Sequence, residues 1–594
     1  MPSPRVNFSG SAARSSIRFR LAAFALLASF LYGCESLPGG SGSARPSAPA
    51  VVLSQYRPEA ARREGGSVVI GDWESPTDFS PLFNDEVPAR EIDSLLYAGL
   101  TRRDPQLHPV ADLAIQVPTL DNGGVTWDRA AKRMTVSYQL RPGLRWSDGQ
   151  PITADDVAFT FKLISQLPAG SVLDSEGYSA IDGLSVQDPL RFTVAFDRIY
   201  PQYLDLFSAI LPQHRLAGVP PAAIATNAFW ARPDVVSGPY KISELVPDDH
   251  LALVRNEAWS QGRPGRRPHL DAILFRIYPE VGQLTDAARK GQVDVALEIP
   301  DGQLSTLGNP AGMSEQRRPS LAYEQVTFNQ ADPNPQTGAA PLWKDDPILL
   351  QALRSSIDRA GLVQRLLAGK VPVAQSPISS LTDFHDADAA LHFDAGSAAQ
   401  ALQRDGWTLA GDGIRVKNGR RLSFSLLTAV GDPLRSQVRA DLVAQWRKIG
   451  AEVIPKDAHP SEMFSGFAQG GLLEQGRFEA GLWTWNTGAD PDGTYPLEHS
   501  SQIPSNANQG AGSNFGRLAS AEIDRDLDRG RQTLIPGERV QAYAAFERAY
   551  VRLGAELPLF ERVEVVLSSP RLHNLQANSG PATTLWNAAD WWIG

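Results

Sequence analysis

"LRPGLRWSDGQPITADDVAFTF" occupies Leu140–Phe161. An alternating run leads into it: Met134, Val136, Tyr138 and Leu140 fall on one face of a strand, since side chains in a strand alternate with period two. Arg141-Pro142-Gly143 ends that strand in a turn. Trp146-Ser147-Asp148-Gly149, with Pro151 behind it, reads as a hairpin. Thr153 then opens a helix. In Thr-Ala-Asp-Asp the threonine caps the first turn and Asp156, at the third helical position, reaches back to the cap. A strand, a hairpin and a capped helix in one short stretch mark a mixed α and β architecture.

The same mixture extends outward. Ser67–Ile70 is a short β-branched strand, and Pro76 and Pro81 keep the following segment extended. Residues 89–100 repeat apolar positions at helical spacing, with Ile92, Leu95, Leu96 and Leu100 on one side. After the quoted stretch come strands at 190–197, two around a turn at 235–256, another at 270–280, and a helix stopped by Gly291 before a further strand. Beyond Asn329 the pattern changes. Residues 345–370 form an amphipathic helix pair, with Leu349, Leu353 and Ile357 on one face and Leu362 and Leu366 on another. Helix and strand alternate from there to about residue 533, which gives a second α/β lobe. Residues 554–576 are strand-like again and can return to the first lobe. There is no internal repeat.

The chain begins with a targeting segment. Arg5, Arg14, Arg18 and Arg20 precede an uncharged run, Leu21–Gly33, of 13 residues. A bilayer span needs about 20 residues, so the run suits a signal-peptide core instead. It ends at Cys34, the only cysteine. "LYGC" is similar to a bacterial lipobox, which implies cleavage before Cys34 and lipidation of it. Residues 35–65, rich in Ser, Gly, Pro and Ala, are expected to be a flexible tether to a cell-envelope membrane, with the body on the periplasmic or extracytoplasmic side. Removing the four arginines takes the charge to (56 − 4) − 66 = −14, which argues against a nucleic-acid partner. With one cysteine there is no disulfide, and stability must come from a packed core.

No enzyme signature is present: no H-E-x-x-H, no G-x-S-x-G, no P-loop and no dinucleotide fingerprint. The nine histidines show no metal-ligand spacing, and no cofactor or metal is expected. Asp490-Pro491-Asp492-Gly493 looks like the start of a calcium loop, but no glutamate stands at the twelfth place.

Taken together, several stretches resemble one family, the dipeptide, oligopeptide and nickel group of extracellular solute-binding proteins of ABC importers (family 5). Residues 95–114, the quoted 140–161, Ser237–Ile242, 255–280, 328–334 with 349–363, and 442–453 match that group in its order, over about Gly66 to Leu567. The resemblance implies a two-lobed α/β clamshell of the type II periplasmic-binding class, with an extra small domain in the first half. On that basis 66–89, 182–326 and 560–594 are lobe one, 90–181 the small domain and 327–559 lobe two. The crossings are expected near Thr327–Asn329 and Pro558–Glu561. It also implies a peptide or other small solute as ligand, permease and ATPase subunits as partners, and a monomer.

The resemblance places "GLWTWNTGADPDGTYPLEHSS", Gly481–Ser501, at the cleft. Alternation puts Gly481, Trp483 and Trp485 on one face of a strand. Trp483 and Trp485 are candidates to meet the ligand, with a place in the lobe core as the open alternative. Trp73 and Glu74 are the counterparts from lobe one. Many peptide-binding relatives carry an aspartate just after this strand to hold the ligand's ammonium. The matching positions here are Asn486 or Thr487, both uncharged, with Asp490 as a substitute. His499 and Asn514 are candidates at the rim. A sugar, an opine-like compound or a nickel chelate, or a sensor or chaperone-like role for the same fold, stays open beside the peptide.

Overall fold

The structure is a computed structural model, and it describes residues 51–168, 171–173, 175–303 and 312–594. The expected leader and Cys34 lie outside the described residues. No described helix is long and apolar enough to cross a membrane.

A ten-stranded mixed sheet organises the described residues. On one side the parallel strands Ser67–Asp72 and Ala272–Ile277 run beside the antiparallel pair Tyr240–Val246 and His250–Arg255. On the other side Ser423–Ala429 lies parallel to both Glu452–Ala458 and Ala480–Asn486. Two long antiparallel strands, Ser314–Phe328 and Glu556–Ser568, join the sides. Their ladder breaks at the middle. Pro319 pairs with Val563 and Tyr323 with Glu561, so Ser320–Ala322 stand opposite the single residue Arg562. Proline cannot donate to a ladder and is tolerated at such a bulge.

The first crossing was expected at Thr327–Asn329. Instead Thr327 and Phe328 pair with Gly481 and Ala480 inside the second half. The break comes earlier, at Pro319–Tyr323, because the strand is long enough to serve both halves. A separate four-stranded antiparallel sheet holds Val125–Asp128, Arg133–Gln139, Ile181–Asp188 and Arg191–Phe196. The expected end of the small domain at 181 therefore cuts it too short: the hairpin 181–196 stays with the small sheet, paired to Arg133–Gln139. The core is continuous across this boundary, from Val68 and Ile70 through Val136 and Phe192 to Trp591.

The opening stretch folds as its residues direct. The Thr153 N–H donates to Asp156 Oδ2 at 2.9 Å, at the start of the helix Ala154–Ser165. Asp156 Oδ1 accepts from the Gln213 N–H, and Trp146 is fully buried beside this helix. The amphipathic pair becomes Pro347–Ser355 and Arg359–Leu367, capped by Asp346 and Asp358. The expected tether is shorter than 35–65. Tyr56 packs edge-on against Trp586 with ring centres 4.8 Å apart, the Glu59 N–H donates to Asn574, and Glu64 accepts from His269.

Candidate functional site

A cavity of about 1010 Å³ opens where the ladder breaks. Ser320, Leu321, Ala322 and Arg562 line it, so the bulge makes its floor. Arg562 donates to Asp301 at 2.8 Å and to Glu324 at 2.9 Å. Arg435 donates to Glu324 at 2.6 Å and to Thr484 at 2.9 Å. This network ties the Asp301 turn on one side to the Ala480–Asn486 strand on the other. Burial pushes the Asp301 carboxyl up, against the pull of Arg562.

The strand Ala480–Asn486 runs between Ser423–Ala429 and Ser314–Phe328, so both its edges are paired. The alternation holds, but the cavity lies on the other face. Thr484 and Asn486 line the cavity, whereas Trp483 and Trp485 are not among its lining residues. Trp483 is 1 % exposed and packs against Phe478, Phe515 and Trp485. Trp485 is half-buried, its ring 5.4 Å from Phe515. Leu427, Met463 and Leu473 complete this small core. A Cβ on residue 481 would meet the Trp483 ring at 2.4 Å, so Gly481 is what lets that ring fold back over the strand.

The strand's end meets the cavity through polar groups. Asn486 is exposed there, and its Oδ1 accepts from the Gly488 N–H at 3.0 Å. Thr487 lines the cavity but is buried, its hydroxyl donating to the Pro377 carbonyl at 2.9 Å. Asp490 lines it too, yet it is held by both arms of Arg539, at 2.8 and 2.6 Å. Burial raises the Asp490 carboxyl, and Arg539 more than offsets this, leaving it below the usual range. Asp490 therefore has its counter-charge already and does not offer it to an ammonium. Asp492 sits 3.2 Å from Arg531, and burial carries its pKa to about 6 despite that arginine. The two aspartates bolt their loop to the helices Ala521–Arg531 and Pro536–Leu553. In Gly493 a Cβ would lie 1.7 Å from the Thr487 carbonyl, so the loop closes only with glycine.

Trp73 lines the cavity from the first half, half-buried, with its Nε1 donating to the Glu298 carbonyl at 2.7 Å. Glu74 is exposed and is not in the lining. His499 stacks on Tyr495 with centres 4.4 Å apart, and Asn514 donates to the carbonyls of Glu498, His499 and Leu518. Neither reaches the cavity lining; both hold loops. The structure thus gathers Trp73, Asn486, Thr487 and Asp490 around one space and leaves the other candidates outside it.

Sequence reasoning missed Arg90, Asp93, Glu298, Arg562 and Glu564, all in the lining. The signal was present for two of them. Arg562 and Glu564 stand in a buried strand otherwise rich in apolar residues, and a charge inside such a strand needs a partner or an opening.

Comparison with known proteins follows the same lines. The model of the bacterial extracellular solute-binding proteins, family 5, matches residues 125–505. The oligopeptide-binding protein AppA of Bacillus subtilis (strain 168) is 27% identical over 602 residues, covering 98% of this chain and 99% of that one. The solved structure of AppA from Bacillus subtilis in complex with a nonapeptide superposes with a TM-score of 0.68 at 23% identity, over 91% of this chain and 100% of that chain. NikZ from Campylobacter jejuni in complex with Ni(L-His) gives 0.68 at 21% identity over 88% and 99% of the two chains. A periplasmic EDTA-binding protein, EppA, gives 0.71 at 18% over 91% and 99%. The fold they share with this chain is the two-lobed α/β clamshell. With the family model matching more than half of its length, the chain belongs to the bacterial extracellular solute-binding proteins of family 5.

Proposed function

We propose that this protein is the capture component of an ABC importer for peptides, anchored to the cell envelope through a lipid on Cys34. Its two halves enclose the solute and present it, as a monomer, to a permease driven by ATPases. The observation that carries this reading is the cavity itself. It lies at the break between the halves, it is lined by both, and at about 1010 Å³ it stands at the upper end of the roughly 300–1,000 Å³ typical of small-molecule sites. A solute longer than one residue fits such a space, and AppA, similar over nearly the whole length, is an oligopeptide binder. A lining rich in polar groups suits contacts made through water, which tolerate varied side chains. No catalytic chemistry is needed for this role.

A second reading keeps the importer and changes the cargo to a chelate or another non-peptide solute. Uncharged Asn486 at the strand's end favours it, because a neutral amide accepts from an ammonium without neutralising its charge, as a carboxylate would. Native mass spectrometry of the mature chain carrying Cys34→Ser, purified gently from its own host, separates the two. A ladder of peptide adducts that leaves on partial unfolding is the expected result. A bare mass that no peptide mixture shifts would reject the peptide reading.

A further inference from the structure

Four of the described arginines line the cavity: Arg90, Arg102, Arg103 and Arg562. Three of them have their counter-charge. Arg102 pairs with Asp112, Arg103 clasps Asp205 at 2.6 and 2.8 Å, and Arg562 reaches Asp301 and Glu324. Arg90 is the exception. Among the described residues its guanidinium forms no ion pair and no hydrogen bond. Its Nε is shut off from solvent without a partner, while the two terminal nitrogens, equally without partners, stay open.

The acids nearest to it along the helix are engaged elsewhere or turned away. Glu86, one turn back, accepts from the N–H and hydroxyl of Thr77 and from Asn84. Asp93, one turn on, has both oxygens shut off from solvent and paired with nothing. Glu298 and Glu564 feel the charge of Arg90 but do not pair with it. Burial, with the charge of neighbouring carboxyls, pushes both of them up, Glu564 to about 8, so at neutral pH they hold protons and supply no counter-charge.

Nothing in the fold calls for a cation here. Arg90 is the fourth residue of the helix Val87–Leu96, and a positive charge near a helix N-terminus opposes the helix dipole. The helix turns Ile92, Leu95 and Leu96 into the core and sets Val87, Arg90 and Ser94 along the cavity, three and four residues apart on one face. A half-buried guanidinium with unused donors is costly unless something accepts from it, and this one stands in the middle of the stripe that faces the cavity.

We propose that Arg90 is an anion subsite of the cavity and receives a carboxylate of the solute. A guanidinium carries donors side by side in one plane, which matches the two oxygens of a carboxylate. The cleft then recognises its cargo by negative charge, whereas uncharged Asn486 leaves an ammonium's charge unneutralised. The carboxylate is a peptide's terminus, the side chain of an acidic residue, or an arm of a non-peptide carboxylate. The proposal rests on the reading of the cavity as the solute site.

The test uses the full mature chain with Cys34→Ser, alone and with Arg90→Gln or Arg90→Lys, and reads calorimetric affinity and the unfolding midpoint. The probes are pentapeptides without acidic side chains, each as free acid and as amide; amidated pentapeptides carrying one glutamate or one glutamine; and sodium citrate against sodium chloride at equal ionic strength. The unsubstituted chain should bind at least one carboxylate form about tenfold or more tighter than its neutral twin. Arg90→Gln should abolish that preference and leave the neutral twin unchanged, and Arg90→Lys should keep part of it. The midpoint of the solute-free chain should not fall in Arg90→Gln, since no bond of the fold is lost. A preference for the free acid assigns the terminus, and one for glutamate over glutamine assigns the side chain. A response to citrate that Arg90→Gln removes, with no peptide bound, keeps the subsite and sinks the peptide reading. Peptides that bind equally as acid and amide and as glutamate and glutamine, or that lose both twins alike in Arg90→Gln, overturn the subsite and leave the peptide reading standing. No response to any carboxylate probe overturns the subsite.

Discussion

Asn486 is the residue at which one atom's exchange changes what the cleft can hold. It is exposed at the cavity and uncharged. Asn486→Asp should tighten peptides with a free amino terminus about tenfold over their N-acetylated twins, since a hydrogen bond to a charged group contributes roughly 1.5–3 kcal/mol. Calorimetry on matched peptide pairs checks it, and equal affinities for both twins would move the solute's terminus away from this strand. Asp490 behaves differently. Removing its charge in Asp490→Asn leaves Arg539 buried without its partner, which costs about 3–5 kcal/mol, so the unfolding midpoint should fall before any binding effect is read. Asp490→Asn/Arg539→Met should recover part of that loss; no recovery would show that the pair is not what fastens the loop. At this scale the sequence carried the alternation but not the face. Trp483 and Trp485 share a side of the strand as expected, but alternation alone does not say which side is open. That depends on Phe478 and Phe515 closing over the rings, contacts that period two does not contain.

At the scale of elements, the stability contributed by the buried carboxyls Glu91 and Glu564 depends on pH. Glu91 and Glu564 have folded pKa values of about 7 and about 8, above the usual 4.5, mainly because they are buried, with Asp72 and Arg90 as their charged neighbours. A carboxyl raised in the folded state holds more protons there than in the unfolded chain. Its stabilising contribution is complete below pH 4.5 and is lost as pH rises through 7 and 8. Asp112 has the opposite sign: burial raises it, but Arg102 and Arg263 bring it down to about 2. Its contribution is present above 3.8 and lost on acidification toward 2. Thermal unfolding of the solute-free chain should therefore show its midpoint declining from about pH 5 to 8, and Glu564→Gln should flatten that decline. A wild-type curve that rises over the same range would contradict the raised carboxyls of Glu91 and Glu564. The elements themselves were largely legible, because capping and period are local: Thr153 opens its helix, and Asp346 and Asp358 open the pair that follows. The ladder break was not legible. Ser320–Ala322 read as ordinary strand until the partner strand shows a single residue, Arg562, opposite them.

Over the whole molecule, two α/β halves and a returning C-terminal strand were readable from the order of elements, and the family resemblance added the small sheet. The limits of that sheet and of the tether were misplaced, since both depend on long-range partners: Arg133–Gln139 for the hairpin 181–196, and Trp586 for Tyr56. In the structure the halves meet. Arg531 pairs with Glu176 at 2.8 Å, Arg129 with Glu538 at 3.0 Å and His108 with Asp383 at 3.2 Å, each joining the first part of the chain to the second. All three partners of these arginines and this histidine are exposed, so each pair contributes only about 0–1 kcal/mol. They bias closure without locking it. Glu176→Gln should weaken solute binding by no more than about fivefold, the equivalent of that energy, and leave the unfolding midpoint unchanged. A larger loss of affinity would place Glu176 in contact with the solute. The central claim is that the two halves close over a captured solute. It is tested most directly by small-angle scattering on the Cys34→Ser chain, stripped of solute by partial unfolding, refolded, and then given back the solute eluted from it. The account predicts a larger radius of gyration in the stripped protein and a return to the compact value on re-addition. An identical radius in both states, with the solute shown to be bound, would contradict it.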